Sequence, residues 1–422
     1  MARVFPFRGL RYHPRFASEM QRIATPPYDV IGERDRLEYE KAHPKNVVRL
    51  ILPGEAGSAG DGTFYSGAAA LLNGWREEGT LRQESALSFY PYRQTFRGPD
   101  GITASRLGFL GALALEDPGG GSGPLPHEKT LEGPRRDRTR LISACRANLS
   151  AIFLLHPDGT GKVAASLERI APGEPLFRFS DREGILHELW RMDDPDLIRQ
   201  VQEGLEADWT LIADGHHRHE SAVAVMRELP EAEGARYVLA FFCSLQDRGF
   251  RIFPIHRLVR PRPACDAPAI RRLLQERLPC EVLPSGSGAK EVISRLGEAG
   301  QGSFAALLPG GHRLLIRCRT ENRPAREEGP LEDLDTLVLE RRVLTGLLGI
   351  TPEEVAAGAV AYTPDAGEAL RRVDSGEVAA AFLLNPLRME AVVRAARAGL
   401  RLPQKSTYFY PKVFTGLVIR PF

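Results

Sequence analysis

The sequence predicts a mixed α/β protein made of two domains. Short apolar runs of strand length, such as AIFLL at 151–155 and WTLIA at 209–213, alternate with segments of helical periodicity, such as HESAVAVMREL at 219–229. At 422 residues the chain is long for a single hydrophobic core. The stretch RPRPACDAP at 260–268 interrupts both patterns, because proline lacks an N–H donor and disfavours helix at the preceding residue.

The first predicted domain covers residues 1–262. NVVRLIL at 46–52 is predicted as a short apolar strand, GAAALLNGWREEG at 67–79 as a helix, and ALSFYPYRQTF at 86–96 as a strand. Residues 236–259 are predicted as a hairpin around the turn QDRG.

The second predicted domain covers residues 263–422 and is a smaller α/β layer. Helical and strand patterns alternate between residues 268 and 400. The tail 401–422 ends apolar enough to pack back onto the body, so we expect that it could return to the functional site.

Composition narrows the class of protein. Apolar residues make up 43% and charged residues 26%, as in ordinary globular proteins. The net charge of +2 counts against a nucleic-acid surface, and no apolar run approaches the roughly 18–20 residues of a membrane span. Five scattered cysteines without a CxxC pair predict no disulfide framework and a reducing, cytoplasmic location.

The stretch LIADGHHRHESA at 211–222 concentrates ionisable side chains at one predicted turn between a buried strand and a helix. Gly215 allows close backbone approach, and a helix N-terminus favours anions. His216, His217 and Arg218 would surround a phosphate, while Asp214 would hold Mg²⁺ or a nucleotide ribose. The alternatives are a plain helix cap or a zinc site, although the histidines lack the i, i+4 spacing of HExxH.

Two earlier motifs offer candidate catalytic groups. In HEKT at 127–130, Glu128 is a candidate general base, Lys129 could neutralise a phosphoryl oxygen, and Thr130 adds a hydroxyl. PPYDVI at 26–31 presents Tyr28 and Asp29, and Asp29 is a second candidate base or a metal ligand. Each motif has a structural alternative, a solvated loop for the first and a rigid turn for the second.

Polar residues near the C-terminus suit phosphate or carboxylate binding. The segment QKSTYFYPK at 404–412 supplies the candidate substrate-binding residues Lys405, Ser406, Thr407 and Lys412. Its alternative is a terminal strand with exposed lysines. FPIHR at 253–257 places His256 and Arg257 at a strand end, where they either join the site or cap the hairpin.

Eight motifs occur in an order that resembles the bacterial and archaeal family of domain of unknown function 1015. They are PPYDVI, HPKNVVRL, YRQTF, HEKT, DR at 137–138, ADGHHRHESA, PIHRLV and LPQKSTYFYPK. The resemblance runs from about residue 2 to residue 420 and so covers nearly the whole chain.

The DGHHR turn is also similar to the phosphate-binding turn of the ParB/sulfiredoxin superfamily, which includes nucleotide-dependent free serine kinases. This resemblance implies a ParB/sulfiredoxin-like core in the N-terminal domain. It implies nucleotide contacts from residues 214–218 and a carboxylate base from an earlier segment. Glu128 is favoured as that base over Asp29 because of its basic neighbours, and His217 joins them as a residue required for transfer.

The expected function is therefore an Mg²⁺- and nucleotide-dependent kinase that uses ATP or ADP to phosphorylate a small hydroxylated amino acid. Free L-serine, giving O-phosphoserine, is the leading acceptor. The alternatives are a ParB-like regulatory protein that senses a nucleotide without catalysis, and a phosphohydrolase with the same phosphate cradle. The expected partners are small molecules, with no membrane or nucleic acid, and the sequence leaves a homo-oligomer open.

Overall fold

A computed structural model of the chain describes residues 3–52, 63–98, 101–116, 123–206, 209–262, 266–318, 334–403 and 405–422. Its helices and strands confirm the predicted mixed α/β class. The chain divides into two compact units. Unit 1 comprises residues 1–126, 130–250 and 411–422, and unit 2 comprises residues 127–129 and 251–410.

Unit 1 contains the DGHHR turn and the strand and helix on either side of it. Its strands are β1 (Val4–Phe5), β2 (Leu10–Tyr12), β3 (Leu81–Gln83), β4 (Tyr90–Arg97), β5 (Thr103–Ala114), β6 (Ala147–Asn148), β7 (Ile152–His156), β8 (Phe177–Ser180), β9 (Leu186–Leu189), β10 (Leu211–Asp214), β11 (Tyr237–Ser244) and, at the end of the chain, β20 (Arg420–Pro421). Its α-helices are α1 (Met20–Ile23), α2 (Glu33–Ala42), α3 (Val48–Ile51), α4 (Thr63–Glu77), α5 (Glu132–Cys145), α6 (Lys162–Ile170), α7 (Pro195–Glu206) and α8 (His216–Glu228). Short 3₁₀ turns occur at Pro14–Glu19, Tyr28–Val30 and Glu233–Arg236.

The main sheet of unit 1 has the strand order β10-β7-β11-β5-β4-β9-β8, with β1 paired to β5. Strands β7 and β11 are parallel, and β10 pairs with β7 in the antiparallel sense. All five residues of β7 are buried, as expected for a strand covered on both faces. The apolar sides of α6 and α7 pack on this sheet, which fixes β10 and the turn that follows it.

The predicted strand at 46–52 is wrong, because Val48–Ile51 form helix α3. The Val48 N–H donates to Asn46 Oδ1 at 2.8 Å, and the Asn46 amide donates to Arg22 O at 2.7 Å. A short apolar run fits a buried helical turn as well as a strand, and here the buried asparagine decides between them.

The predicted hairpin over 236–259 is also wrong. Strand β11 pairs with β5 and β7 in unit 1. The residues after the turn form β12 (Arg251–Phe253) and β13 (His256–Val259), which pair with other strands of unit 2. The turn itself is present, with Phe250 N bonded to Asp247 O at 3.0 Å. Asp247 also accepts the Leu107 N–H at 3.1 Å, so the chain at this turn is held against β5.

Unit 2 contains an antiparallel sheet with the order β14-β16-β15-β18-β13-β17. Its further strands are β14 (Cys280–Val282), β15 (Ser303–Leu308), β16 (His312–Arg317), β17 (Val360–Thr363), β18 (Ala380–Leu384) and β19 (Tyr408–Tyr410), the last paired with β12. Its helices are α9 (Ala267–Arg277), α10 (Ala289–Ala299), α11 (Asp335–Val338), a π-helix (Leu339–Leu347), α12 (Pro352–Ala356), α13 (Ala366–Asp374) and α14 (Met389–Arg397). One sheet face packs on α9 and the π-helix, and the other face packs on α10 and α13.

The change of unit at Phe250–Arg251 comes before the proline-rich stretch at which the sequence places a domain boundary. Residues 251–262, assigned to the first domain in the sequence analysis, belong to unit 2, and Pro411–Phe422 belong to unit 1. Among the described residues, no helix has the length and apolar character needed to cross a membrane.

Candidate functional site

The DGHHR turn joins the end of β10 to the start of α8. Gly215 has φ 91°, a left-handed conformation that disfavours other residues. A Cβ at this position would lie 3.1 Å from Ile152 Cγ2 and 3.2 Å from Arg218 Cζ. The turn therefore requires glycine, and it begins a 13-residue helix whose N-terminal N–H groups favour an anion.

Asp214 is the electrostatic centre of the turn. Its Oδ2 accepts from Arg218 Nη2 at 2.6 Å, and its Oδ1 accepts from Lys412 Nζ. All three side chains are largely buried, with 15% of Asp214 and 12% of Lys412 exposed. Arg218 Nη1 donates to Ala151 O, so this guanidinium braces the turn against the start of β7. The sequence predicts that Arg218 binds an anion in bidentate fashion, whereas in the structure both of its terminal nitrogens donate to oxygens of the protein.

The pKa values of the pair follow from these contacts. Burial acts to raise the pKa of the Asp214 carboxyl, but the charges of Lys412 and Arg218 outweigh it and hold that pKa well below its ordinary value. Burial acts to lower the pKa of the Lys412 ammonium, but the charges of Asp214 and Asp29 outweigh it and raise that pKa. The carboxylate and the ammonium are therefore both charged at neutral pH.

The role of Mg²⁺ ligand predicted for Asp214 does not fit this geometry. Both carboxylate oxygens already accept from cations, which makes them poor donors to a metal ion. Within the described ranges there is also no group of three or more His, Cys, Asp or Glu side chains placed to hold a metal. Lys412 was predicted to bind substrate, and here it neutralises Asp214.

His217 has a defined protonation state, because the Leu131 N–H donates to its Nε2 at 2.8 Å. An accepting Nε2 carries no proton, so the ring is neutral and its proton is on Nδ1. Next to this bond, Thr130 Oγ1 donates to Glu220 Oε2 at 2.6 Å. The start of α5 and the first turns of α8 are thus joined through His217 and Glu220.

Tyr28 and Asp29 lie on the 3₁₀ turn Tyr28–Val30 of unit 1. The Tyr28 ring lies 4.2 Å from the Arg138 guanidinium carbon, and burial together with the charge of Asp29 raises the pKa of Tyr28 to about 12. Arg138 also donates to Ile51 O at 2.8 Å. Tyr28, Arg138 and Arg218 share the lining of a cavity of about 30 Å³, which has room for water but not for a nucleotide.

The remaining predicted residues form a second group, in unit 2. Residues 127–129 run parallel to the segment around Leu402, with Leu402 N bonded to His127 O at 2.7 Å and Lys129 N bonded to Leu402 O at 3.3 Å. The Lys405 N–H donates to Glu128 Oε1 at 3.4 Å. His127 Nε2 lies 3.1 Å from Thr407 Oγ1.

The predicted residues thus divide between the units. Unit 1 holds Tyr28, Asp29, Thr130, Lys412 and residues 214–218, and unit 2 holds Glu128, Lys129 and residues 405–407. The sequence did not predict three residues that contact the candidate site residues His217, Tyr28 and Thr130. They are Leu131, Arg138 and Glu220, respectively. The DR motif at 137–138 could have indicated Arg138. The contribution of Leu131 could not be predicted from its residue type, because it comes from a backbone N–H that every residue except proline has.

Several solved structures are similar to this chain at low identity. A free serine kinase in complex with AMP is 16% identical with a TM-score of 0.34, covering 68% of this chain and 83% of its own. SbnI with a C-terminal truncation, from Staphylococcus aureus, is 12% identical with a TM-score of 0.37, covering 73% and 86%. A conserved hypothetical protein from Pyrococcus furiosus is 17% identical with a TM-score of 0.33, covering 67% and 85%.

No curated protein matches the chain. A family model described as "Protein of unknown function (DUF1015)" matches residues 4–337, which is most of the chain. The protein therefore belongs to the DUF1015 family.

Proposed function

We propose that this protein is a nucleotide-dependent kinase that phosphorylates a small hydroxylated amino acid, with free L-serine as the leading acceptor. The observation that carries the proposal is the turn at Asp214–His217. There a glycine at positive φ directs the N-terminus of α8, and the bond from the Leu131 N–H to His217 joins this helix to the start of α5.

The reaction transfers the γ-phosphoryl group of ATP to the serine hydroxyl. The hydroxyl oxygen forms a bond to phosphorus, the bond to the β,γ-bridging oxygen breaks, ADP leaves, and a carboxylate accepts the hydroxyl proton. Donors at a helix N-terminus stabilise the charge on the transferred group. Mg²⁺ remains a prediction, and no protein ligand is assigned to it.

Asp29 and Glu128 remain the two candidate bases. Asp29 is supported by its place in unit 1, where it is exposed and its charge acts on Lys412, which binds Asp214. Glu128 accepts a backbone N–H in unit 2. Loss of the true base lowers turnover by about 10²–10⁴-fold with little change in nucleotide affinity. Asp29→Asn and Glu128→Gln, compared side by side for kcat and nucleotide Kd, therefore separate the two.

The test of the function is ³¹P NMR of purified protein with ATP, MgCl₂ and L-serine, beside mixtures that lack serine or protein. A phosphomonoester signal of O-phosphoserine in the complete mixture alone supports the kinase. Release of inorganic phosphate independent of serine indicates the phosphohydrolase instead. An unchanged ATP signal with every hydroxylated amino acid tested, together with measurable ATP binding, indicates a nucleotide sensor and contradicts the proposal.

A further inference from the structure

Two arginines, Arg257 and Arg313, are buried in the sheet of unit 2. Arg313 on β16 has a hydrogen-bond partner at every side-chain nitrogen. Its Nε donates to Ser287 O at 3.4 Å, its Nη1 to Leu308 O at 2.8 Å, and its Nη2 to Asp374 Oδ1 at 3.2 Å. Every nitrogen of this guanidinium has a partner, which is the usual state of a buried charge.

Arg257 on β13 is different. Its side chain is 0% exposed, and its Nη1 donates to Ile255 O. Its Nη2 makes only a long contact of 3.5 Å with Glu340 Oε1, and its Nε has no hydrogen-bond partner in the described part of the chain. A buried N–H without an acceptor is costly, so this one calls for an explanation.

The under-bonded atoms lie on one edge of the guanidinium. Nε and Nη2 point their N–H bonds to the same side, with a spacing that matches the two oxygens of a carboxylate. Arg257 pairs in register with Tyr362 on β17 and Phe382 on β18, so its place on an interior strand is fixed by hydrogen bonds on both sides. The backbone at Arg257 is therefore fixed, and this edge of the side chain can donate two hydrogen bonds to a planar anion.

The charges around this edge are mixed. The negative charges of Glu340 and Glu128 act on Arg257, and the positive charges of Arg341 and Lys129 act on Glu340. Two carboxylates would repel a phosphate dianion, whereas a zwitterion could bind Arg257 by its carboxylate and a glutamate by its ammonium group. Glu340 is 29% exposed and lies in the π-helix, a helix type that is rare and frequent at functional sites.

We propose that the Nε–Nη2 edge of Arg257 binds the carboxylate of a free α-amino acid, and that Glu340 binds its ammonium group. The half-buried Glu340 turns from Arg257 to the ligand when the ligand enters. This site is argued from unit 2 alone. Only the step of equating its ligand with the acceptor of the kinase rests on the proposed function.

The experiment is isothermal titration of the full-length protein with L-serine, in the absence of nucleotide. Arg257→Met should weaken L-serine binding by about ten- to a hundredfold, the loss expected for charge-assisted hydrogen bonds. Arg257→Lys, which keeps the charge but not the two-pronged edge, should also bind more weakly. Arg313→Met is the matched control, because it removes an equally buried arginine of the same sheet, and it should keep wild-type affinity.

Ethanolamine, which has the ammonium and hydroxyl groups of serine but no carboxylate, should not bind. Wild-type affinity in both Arg257 variants overturns the proposal, and so does a wild-type protein that binds inorganic phosphate but no α-amino acid. Circular dichroism of each variant tests whether it is folded. Serine binding that depends on Arg257, without phosphoryl transfer, would support this binding site and contradict the kinase. Phosphoryl transfer with an unchanged KM for serine in Arg257→Lys would support the kinase and contradict this binding site.

Discussion

Replacing Lys412 by methionine tests whether the buried ion pair with Asp214 holds the DGHHR turn in place. Only 12% of Lys412 and 15% of Asp214 is exposed, so the change leaves a buried carboxylate without one of its two cations. Removing one partner of a buried pair costs about 3–5 kcal/mol. Arg218 still binds the other oxygen at 2.6 Å, so we expect a loss of roughly 2 kcal/mol in the free energy of unfolding.

Urea unfolding followed by tryptophan fluorescence measures this loss of stability in unit 1, the unit that contains the ion pair. The three tryptophans, Trp75, Trp190 and Trp209, all belong to unit 1. Lys162→Met is the matched control: its ion pair with Glu203, 3.0 Å long, has both side chains about half exposed, and such pairs contribute about 0–1 kcal/mol.

A double-mutant cycle with Asp214→Asn isolates the pair itself. Once the carboxylate is neutral, the loss of Lys412 leaves no unpaired charge, so the coupling should be about 1–2 kcal/mol. The low pKa of Asp214 means that this stability is present above the unfolded pKa of about 4 and is lost as pH falls below it. A coupling below about 0.5 kcal/mol at pH 7, or one unchanged at pH 3, would refute the reasoning.

Three further predictions concern unit 1. His217→Gln, whose amide oxygen can accept the Leu131 N–H near the position of Nε2, should retain more nucleotide affinity than His217→Ala, which removes that acceptor; equal affinities by calorimetry would contradict a role of this hydrogen bond in nucleotide binding. Gly215→Ala should lower the unfolding free energy by at least about 1–2 kcal/mol, because φ is 91° and the new methyl group meets Ile152, and a stable variant in urea unfolding would show that the turn tolerates other residues. Burial lowers the pKa of His156 to about 4, so the folded state resists its protonation and stability falls as pH drops from about 6.5 towards 4; His156→Gln should flatten that slope in urea midpoints, and an unchanged slope would exclude the residue as its source.

Secondary structure could be predicted from the sequence where the local hydrophobic pattern is strong. The strand before Asp214, the glycine turn and helix α8 all follow from an apolar run, a glycine and a helical period within 211–228. The short run at 46–52 has no such length, and its helical form depends on hydrogen bonds of a buried Asn46 that periodicity does not record.

The chemistry of the site was harder to predict because its partners are far apart in the chain. Nothing in the spacing indicates that Lys412 neutralises Asp214 across 198 positions, and the metal-ligand role of Asp214 was inferred without that partner. The tautomer of His217 depends on a main-chain N–H, and the bonding deficit of Arg257 becomes visible only when every neighbouring acceptor has been placed.

The return of Pro411–Phe422 to unit 1 has a consequence for biosynthesis. Strand β20 pairs with β6, and Lys412 supplies a counter-charge for Asp214, so unit 1 is completed by residues that are translated after those of unit 2. Residues 251–410 emerge earlier and belong to unit 2. A nascent chain arrested at residue 410 would carry Asp214 without its lysine, so the DGHHR turn can mature only after residues 411–422 have been translated.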